Sequence, residues 1–297
     1  MNRKMLFFVN PNAGHAEIRS SLMEVLQIFT EAGYDVTVHP TLSRGDLTDY
    51  IARNGEQYDC IVCTGGDGTL NEAVSGLMQL ERRPPLGYIP GGTMNDVAAS
   101  LGLSRDTVQA ARDIVAGRPF PVDVGSFGDG RWFLYVAAFG LFTDVPYETP
   151  QQDKRVLGRL AYLLNGVRAL SEVRPIHVTV TCGGRVLEED VLDALVCSTT
   201  SVAGFRPHKD LGVSLNDGRF EVVLVRDIKN LTDFSAAAAH LLRAEFEEPY
   251  FVSMQADEIG FRFCEDVSWT LDGEFGGQLR SVRIRNHQRA VDILVPR

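Results

Sequence analysis

The chain predicts an α/β domain with an open parallel sheet, followed by a β-rich second domain that forms a sandwich. Three observations carry this. The first 120 residues alternate short apolar runs with amphipathic ones, the pattern of parallel strands joined by crossover helices. From residue 121 the apolar runs crowd together and are separated by turn residues. The length of 297 residues exceeds the roughly 100 to 200 of one domain, so two cores are expected.

The elements follow in order. "KMLFFVN", "YDVTVHP", "YDCIVCT" and "LGYIP" read as strands. Between the first two, "EIRSSLMEVLQIFTEAG" sets Ile18, Leu22, Val25, Leu26 and Phe29 at helical spacing, with Gly33 as the stop. "GDLTDYIARN", "GTLNEAVSGLM" and "SRDTVQAARDIVAG" supply further crossover helices, the last with Ser104 as its expected N-cap. "FPVDVGSF" and "RWFLYVAAFG" flank Gly128, Asp129 and Gly130, an antiparallel hairpin. "PIHVTVTC", "DALVCSTT", "RFEVVLVRD", "PYFVSMQ", "FRFC", "VSWTLDG", "SVRIRN" and "AVDILV" continue as separate strands, with helical interruptions near 155–171 and 230–246.

A hydrophobic content of 44% and no low-complexity tract exclude a disordered chain. The formal net charge of -10 argues against a nonspecific nucleic-acid binder, which needs a basic face to displace counterions. Five cysteines lack framework spacing, and Cys60 and Cys63 would point to opposite faces of an extended "YDCIVCT", so they cannot share a metal. Reduced cytoplasmic thiols are the expectation. The apolar core of "MNRKMLFFVN" is too short for a signal peptide, and the longest apolar stretch, "FLYVAAFGLF", falls short of the roughly 20 residues that span a bilayer, so neither a signal peptide nor a transmembrane helix is expected.

The chemistry gathers after the strands. "DCIVCT" runs into "GGDG" and then a helix, a strand–turn–helix whose backbone amides and helix start favour an anion such as phosphate. The loop lacks the lysine of a Walker motif and has Asn71 where a dinucleotide fingerprint needs glycine. A carboxylate beside phosphate is repelled unless a cation intervenes, so Asp67 implies Mg²⁺ held against a nucleoside triphosphate. A second loop, "GGTMNDVAASLGL", follows the next strand and carries Thr93, Asn95 and Asp96. A third, "NPNAGH", follows the first, so all three lie at carboxyl ends of strands, where open α/β sheets bind ligands. Alone, each loop reads as an ordinary turn; the repeated placement is what points to function.

Together, "FFVNPNAGH", "VCTGGDGTLNEAV", "GYIPGGTMNDVAASLGL" and "TLDGEFGG" resemble the diacylglycerol kinase catalytic family, which includes bacterial soluble lipid kinases and sphingosine kinases. The resemblance implies a first domain like that of NAD kinase and phosphofructokinase, residues 1–122 with 288–297 returning to it. It also implies a β-sandwich lipid-substrate domain at 123–287, with the site in the cleft between. It places Asn10, Pro11, Asn12, Ala13, Gly14, Thr41, Gly65, Gly66, Asp67, Gly68, Thr69, Leu70, Asn71 and Thr93 on ATP. Asp67, Asp96 and Asp123 would organise Mg²⁺; Asp123 reads equally as a buried aspartate tying strand ends. Asp272 and Glu274 match the family's "DGE", one of them the base and the other its helper, with Asp67 counted among the catalytic groups. Ser214, Asp217 and the backbone oxygen of Arg219 match a structural Mg²⁺ site, although "NDG" is also a plain hairpin turn.

The activity these residues imply is phosphoryl transfer from ATP to a lipid hydroxyl, with diacylglycerol the default acceptor. Two alternatives stay open: NAD kinase, which shares a "GGDGT" loop, and a nucleotide-binding regulator without transfer, against which an intact "LDGEF" speaks. Arg155 and Arg159 lie on one face of "KRVLGRLAYLLNGVRAL", a core-packed helix or a membrane-surface one for a chain transiently at a bilayer. His208 reads as a loop residue. The sequence is silent on oligomeric state, and a homodimer stays open.

Overall fold

The computed structural model describes residues 3–10, 17–92, 95–140, 174–198, 214–230, 232–233, 236–237, 240, 246 and 248–297. The chain forms two compact units: Met1–Val124 with Leu215–Asp217 and His287–Arg297, and Gly125–Ser214 with Gly218–Asn286. Leu215–Asp217, which sequence reasoning grouped with the β-rich part, thus cluster with the first unit.

In the first unit β1 (Arg3–Val9), β2 (Tyr34–Pro40), β3 (Cys60–Gly65) and β4 (Leu86–Pro90) form a parallel sheet in the order β4–β3–β1–β2. The tail adds a further parallel partner, Ile293 pairing with Leu86. β1, β3 and β4 are continuous apolar runs because both faces are covered, whereas β2, at the edge, is mostly exposed or half-buried. On one face Met5, Phe7 and Val9 pack with Val25 and Phe29 of α1 (Glu17–Glu31) and with Ala110, Ala111 and Ile114 of α5 (Thr107–Ala116). On the other, Leu6 and Phe8 are fully buried, and the Phe8 ring meets Tyr50 of α2 (Asp46–Asn54) edge-on at 5.7 Å. α2 also packs on α3 (Asp67–Leu77) at Gly76, where a Cβ would lie 2.7 Å from Ile51 Cβ. A short helix, α4 (Asp96–Leu101), follows β4.

The start of α5 corrects one expectation. Its cap is Asp106, whose Oδ1 accepts from the Gln109 amide at 2.7 Å. Ser104 sits two residues too early to serve the first turn, and its hydroxyl accepts instead from the Asp106 amide at 3.2 Å. Cys60 and Cys63 are buried, and burial pushes both thiols up to about 12, which keeps them protonated.

The second unit is antiparallel. β5 (Arg118–Phe127) enters it at Gly125 and pairs with β6 (Arg131–Phe133), closing the hairpin over Gly128 and Gly130, both left-handed. β7 (Val136–Gly140) and β8 (Ile176–Cys182) each pair with two longer strands, β9 (Arg185–Cys197) and β12 (Glu258–Leu271). β9 also carries β10 (Phe220–Arg226), which carries β11 (Phe251–Ala256). Long strands that change partners along their length turn the corners of this packed core, which centres on Trp269 among Phe127, Phe139, Phe261 and Phe263.

Two expected breaks are absent. "FRFC" and "VSWTLDG" belong to the one strand β12, because a bulge between Arg262 and Val267 absorbs the polar residues without ending the pairing. "SVRIRN" and "AVDILV" likewise belong to β13 (Glu274–Val295), which runs from the second unit into the first and carries a left-handed Arg289 at φ 52°. The expected helix near 155–171, with Arg155 and Arg159, and the loop of His208 lie outside the described residues. Among the described residues no helix is long and apolar enough to cross a membrane.

Candidate active site

The order β4–β3–β1–β2 brings four chain segments to one end of the sheet, since parallel strands share their carboxyl ends. β4 delivers Gly91 and Gly92, β3 delivers Gly65 and Gly66, β1 delivers Asn10, and β2 delivers Thr41. The last two are neighbours, because the Thr41 amide donates to Val9 O at 3.0 Å. Pro11, Asn12, Ala13, Gly14 and Thr93 lie outside the described residues.

The two glycine loops touch backbone to backbone. Gly91 N donates to Gly65 O at 2.7 Å. A Cβ on Gly92 would stand 2.6 Å from Gly66 Cα, and one on Gly65 would run into the Thr69 side chain. Only glycine permits this approach. α3 begins at Asp67 with no side chain capping it from Gly66, and Gly68 is exposed, so the helix start faces outward as a phosphate cradle would. Leu70 is buried beneath it, while Thr69 and Asn71 are half-buried.

Asp67 and Asp96 meet across these loops. The Asp96 amide donates to Asp67 Oδ2 at 3.3 Å, and Asp96 itself is buried at 4% exposure. Two carboxylates beside a phosphate cradle suit Mg²⁺, which takes one or two protein carboxylates and completes its shell with phosphate oxygens and water. A larger cluster does not form: among the described residues no group of three His, Cys, Asp or Glu is placed to hold a metal. Asp123 therefore does not complete an acidic triad with Asp67 and Asp96. Its Oδ1 accepts from the Arg289 amide at 2.7 Å, and its own amide donates to Leu215 O. Ser214 is half-buried in the turn before β10, and Asp217 and Arg219 are exposed there. In that turn Asn216 O accepts from Gln288 Nε2 and Arg289 Nε.

Two residues outside the expected set pin the second loop. Asn95, left-handed at φ 53° and 2% exposed, accepts from the Gly92 amide at 3.1 Å and donates to Gly92 O at 2.7 Å. Its Oδ1 also lies 3.1 Å from the Tyr88 hydroxyl, which reaches Gly65 O at 3.0 Å. Burial, and after it the charge of Asp67, pushes the Tyr88 phenol well above its usual range, so it stays a neutral tie between the two loops. Tyr88 escaped the sequence reading because inside "LGYIP" it counts as one more apolar strand residue; the glycine pair that follows was the available signal.

In the second unit the turn Asp272–Gly273 joins β12 to β13. Asp272 is left-handed at φ 49° and 6% exposed. Its carboxylate accepts from three successive amides, Leu134 at 2.8 Å, Tyr135 at 3.0 Å and Val136 at 3.1 Å, while its own amide donates to Val136 O. Most of its lone pairs are thus committed to backbone. Glu274, two residues on, is exposed.

The catalytic domain of diacylglycerol kinases, as a family model, matches residues 4–127. The chain is 35% identical over 301 residues to a diacylglycerol kinase of Bacillus subtilis (strain 168), covering 100% of this chain and 97% of that one. It is 31% identical over 298 residues to a diacylglycerol kinase of Staphylococcus aureus (strain MRSA252), covering 100% and 93%. A crystal structure of a diacylglycerol kinase from Bacillus anthracis str. Sterne superposes with a TM-score of 0.76 at 25% identity, covering 99% of this chain and 97% of that one. Another solved chain from the same organism gives a TM-score of 0.84 at 28% identity over the same shares. With relatives above 30% identity along its whole length, and three glycine- or asparagine-bearing loop motifs at the ends of its parallel strands, the chain belongs to the diacylglycerol kinase catalytic family, phosphotransferases with an alcohol acceptor.

Proposed function

We propose that the chain transfers the γ-phosphate of Mg²⁺-ATP to the hydroxyl of a membrane lipid, with diacylglycerol converted to phosphatidic acid. The observation that carries this is the pair of touching glycine loops with Asp67 and Asp96 hydrogen-bonded across them. The parallel sheet with "GGDG" after β3 supports an arrangement like that of NAD kinase and phosphofructokinase for the first unit.

In this reading the amides at the start of α3 and the loop of Gly91 and Gly92 hold the triphosphate, and Asn10 and Thr41 border the nucleotide. Asp67 and Asp96 are the residues that would hold Mg²⁺, which when bound offsets charge on the phosphate oxygens. Glu274 takes the proton of the lipid hydroxyl as its oxygen bonds to the γ-phosphorus and the bridging bond to ADP breaks. Asp272, its lone pairs engaged by Leu134, Tyr135 and Val136, sets the turn that presents Glu274. Ser214, Asp217 and the Arg219 oxygen remain candidates for a second, structural Mg²⁺. A lipid acceptor requires a transient stay at a bilayer surface.

The test is labelled-phosphate transfer from ATP to a mixed-micelle panel of lipid alcohols, with NAD as a further acceptor and products identified by mass spectrometry. Asp67→Ala should abolish transfer while the circular dichroism spectrum is kept. A fully active variant, or NADP as the main product, would overturn the proposal.

A further inference from the structure

Helix α2 opens on Gly45, which is left-handed at φ 84° and has no side chain with which to cap the helix. The cap comes from another helix. The Gly45 amide donates to Glu72 Oε1 of α3 at 3.1 Å, and the Leu47 amide bonds to the same carboxylate. Thr48 Oγ1 donates to Glu72 O at 2.8 Å, so both the side chain and the backbone of Glu72 grip the first turn of α2. The close approach at Gly76 keeps the two helices at this distance, since a Cβ there would stand 2.9 Å from Thr48 O.

The segment between β2 and α2 is thereby held at three points. Thr41 N is bonded to Val9 O, Leu42 N to Asp46 Oδ2, and Gly45 N to Glu72. The first anchor ties the loop to the end of β1 and the second closes it on itself. The third ties it to α3, the helix that grows out of the "GGDG" loop, where the charge of Arg44 also acts on Glu72. Burial pushes the Glu72 carboxyl up, and the Gly45 amide and the nearby Arg44 charge oppose that shift.

We infer that Glu72 is a positioning residue for the nucleotide: by capping α2 from α3 it fixes the loop bearing Thr41 against the loop bearing Gly65 to Asn71. This rests on the nucleotide reading of the site. Glu72 acts through the loop and not on the phosphates, so it governs binding more than the chemical step.

Glu72→Met keeps the volume and helix propensity and removes the acceptor; Glu72→Gln keeps an oxygen for the Gly45 amide. Calorimetry with Mg²⁺-ATP, steady-state kinetics and hydrogen exchange over residues 41–47 are compared with the wild-type chain. Glu72→Met should raise both Kd and KM for ATP about tenfold with kcat within about twofold, and speed exchange at 41–47. Glu72→Gln, whose neutral oxygen is a weaker acceptor than the carboxylate, should weaken ATP binding by an intermediate factor of about threefold. Unchanged ATP affinity in Glu72→Met overturns the inference, as does a fall in kcat at unchanged KM. If Glu72→Met does not fold, Glu72→Gln decides: weakened ATP binding supports the inference, and wild-type binding reassigns Glu72 to a structural role. A wild-type chain that binds no Mg²⁺-ATP defeats the nucleotide reading itself, an outcome distinct from each of these.

Discussion

Replacing Asp272 should unfold the second unit before it tells anything about proton transfer. Three amides point at its carboxylate within 3.1 Å, and the residue is 6% exposed, so water cannot substitute for the lost acceptor. A hydrogen bond to a charged group contributes about 1.5–3 kcal/mol. Three that share one carboxylate are not additive, and about 3–5 kcal/mol is the loss when one partner of such a buried network is removed. Alanine adds little to this at φ 49°, because aspartate already carries a Cβ there. Asp272→Ala should therefore cost about 3–5 kcal/mol, a large share of the roughly 5–15 kcal/mol that holds a domain together. Asp272→Asn keeps one acceptor oxygen but turns an NH₂ toward at least one of the amides, for about half that loss.

The assay is urea unfolding followed by tryptophan fluorescence. Both tryptophans of the chain, Trp132 and Trp269, belong to the second unit, so the signal reports that unit alone. Glu274→Gln supplies the contrast: its side chain is exposed, so the midpoint should stay within about 0.5 kcal/mol of wild type while turnover falls about 10²-fold to 10⁴-fold. An Asp272→Ala chain with a wild-type midpoint would refute the scaffold role. A fully active Glu274→Gln chain would return the base to Asp272.

Asn95→Ala should lower stability by about 2–4 kcal/mol, through the lost Gly92 and Tyr88 contacts and the left-handed backbone, and should weaken ATP binding; calorimetry and thermal melts check both. Cys60 and Cys63 should resist iodoacetamide at pH 8 in the native chain while exposed Cys264 is labelled, as peptide mass spectrometry would read. The same two thiols, raised to about 12 when folded, favour the folded state below their unfolded value near 9.0, and that contribution is lost as pH rises from there toward 12. Each adds a loss of up to about 1.4 kcal/mol per pH unit, visible as an alkaline fall in melting temperature that Cys63→Ala should reduce.

What the sequence made legible was local or periodic. β1, β3 and β4 stand out because strands covered on both faces are unbroken apolar runs, and α1 because Val25 and Phe29 keep a helical stripe. The glycine loops stand out because they recur after successive strands, although each alone reads as an ordinary turn. The illegible features depend on partners distant in sequence. β13 pairs with β12 on both sides of Glu265 and Asp266, which sit in a bulge, so from the sequence the polar residues looked like a break. Nothing local marks Glu72, because the donor it serves, Gly45, lies 27 positions away. Asp272 and Glu274 looked equivalent because only the backbone of 134–136 distinguishes them.

Asp123 unites the two readings the sequence left open, as a tie between strand ends and as a metal ligand. Its Oδ1 holds the Arg289 amide at 2.7 Å, where a non-glycine residue sits at φ 52° just before the tail enters the first unit's core. Beyond that point Val291, Ile293, Leu294 and Val295 are all buried. At about 1.5–3 kcal/mol each they approach the stability of a whole domain, so deleting 288–297 should unfold the first unit and report nothing about turnover. Point changes at Asp123 separate the roles. Asn keeps an oxygen for the Arg289 amide but loses the charge that a cation would use. Asp123→Asn should keep the exchange protection of residues 289–295. The Mg²⁺ concentration needed for half-maximal phosphoryl transfer should stay within about twofold of wild type, since no third acid joins Asp67 and Asp96 among the described residues; a rise of about tenfold would restore the metal role. Asp123→Ala should lose the protection as well, at about 2–3 kcal/mol. If Asp123→Asn shows wild-type Mg²⁺ dependence with the tail still protected, Asp123 is an anchor and nothing more, and Asp67 and Asp96 alone carry the cation.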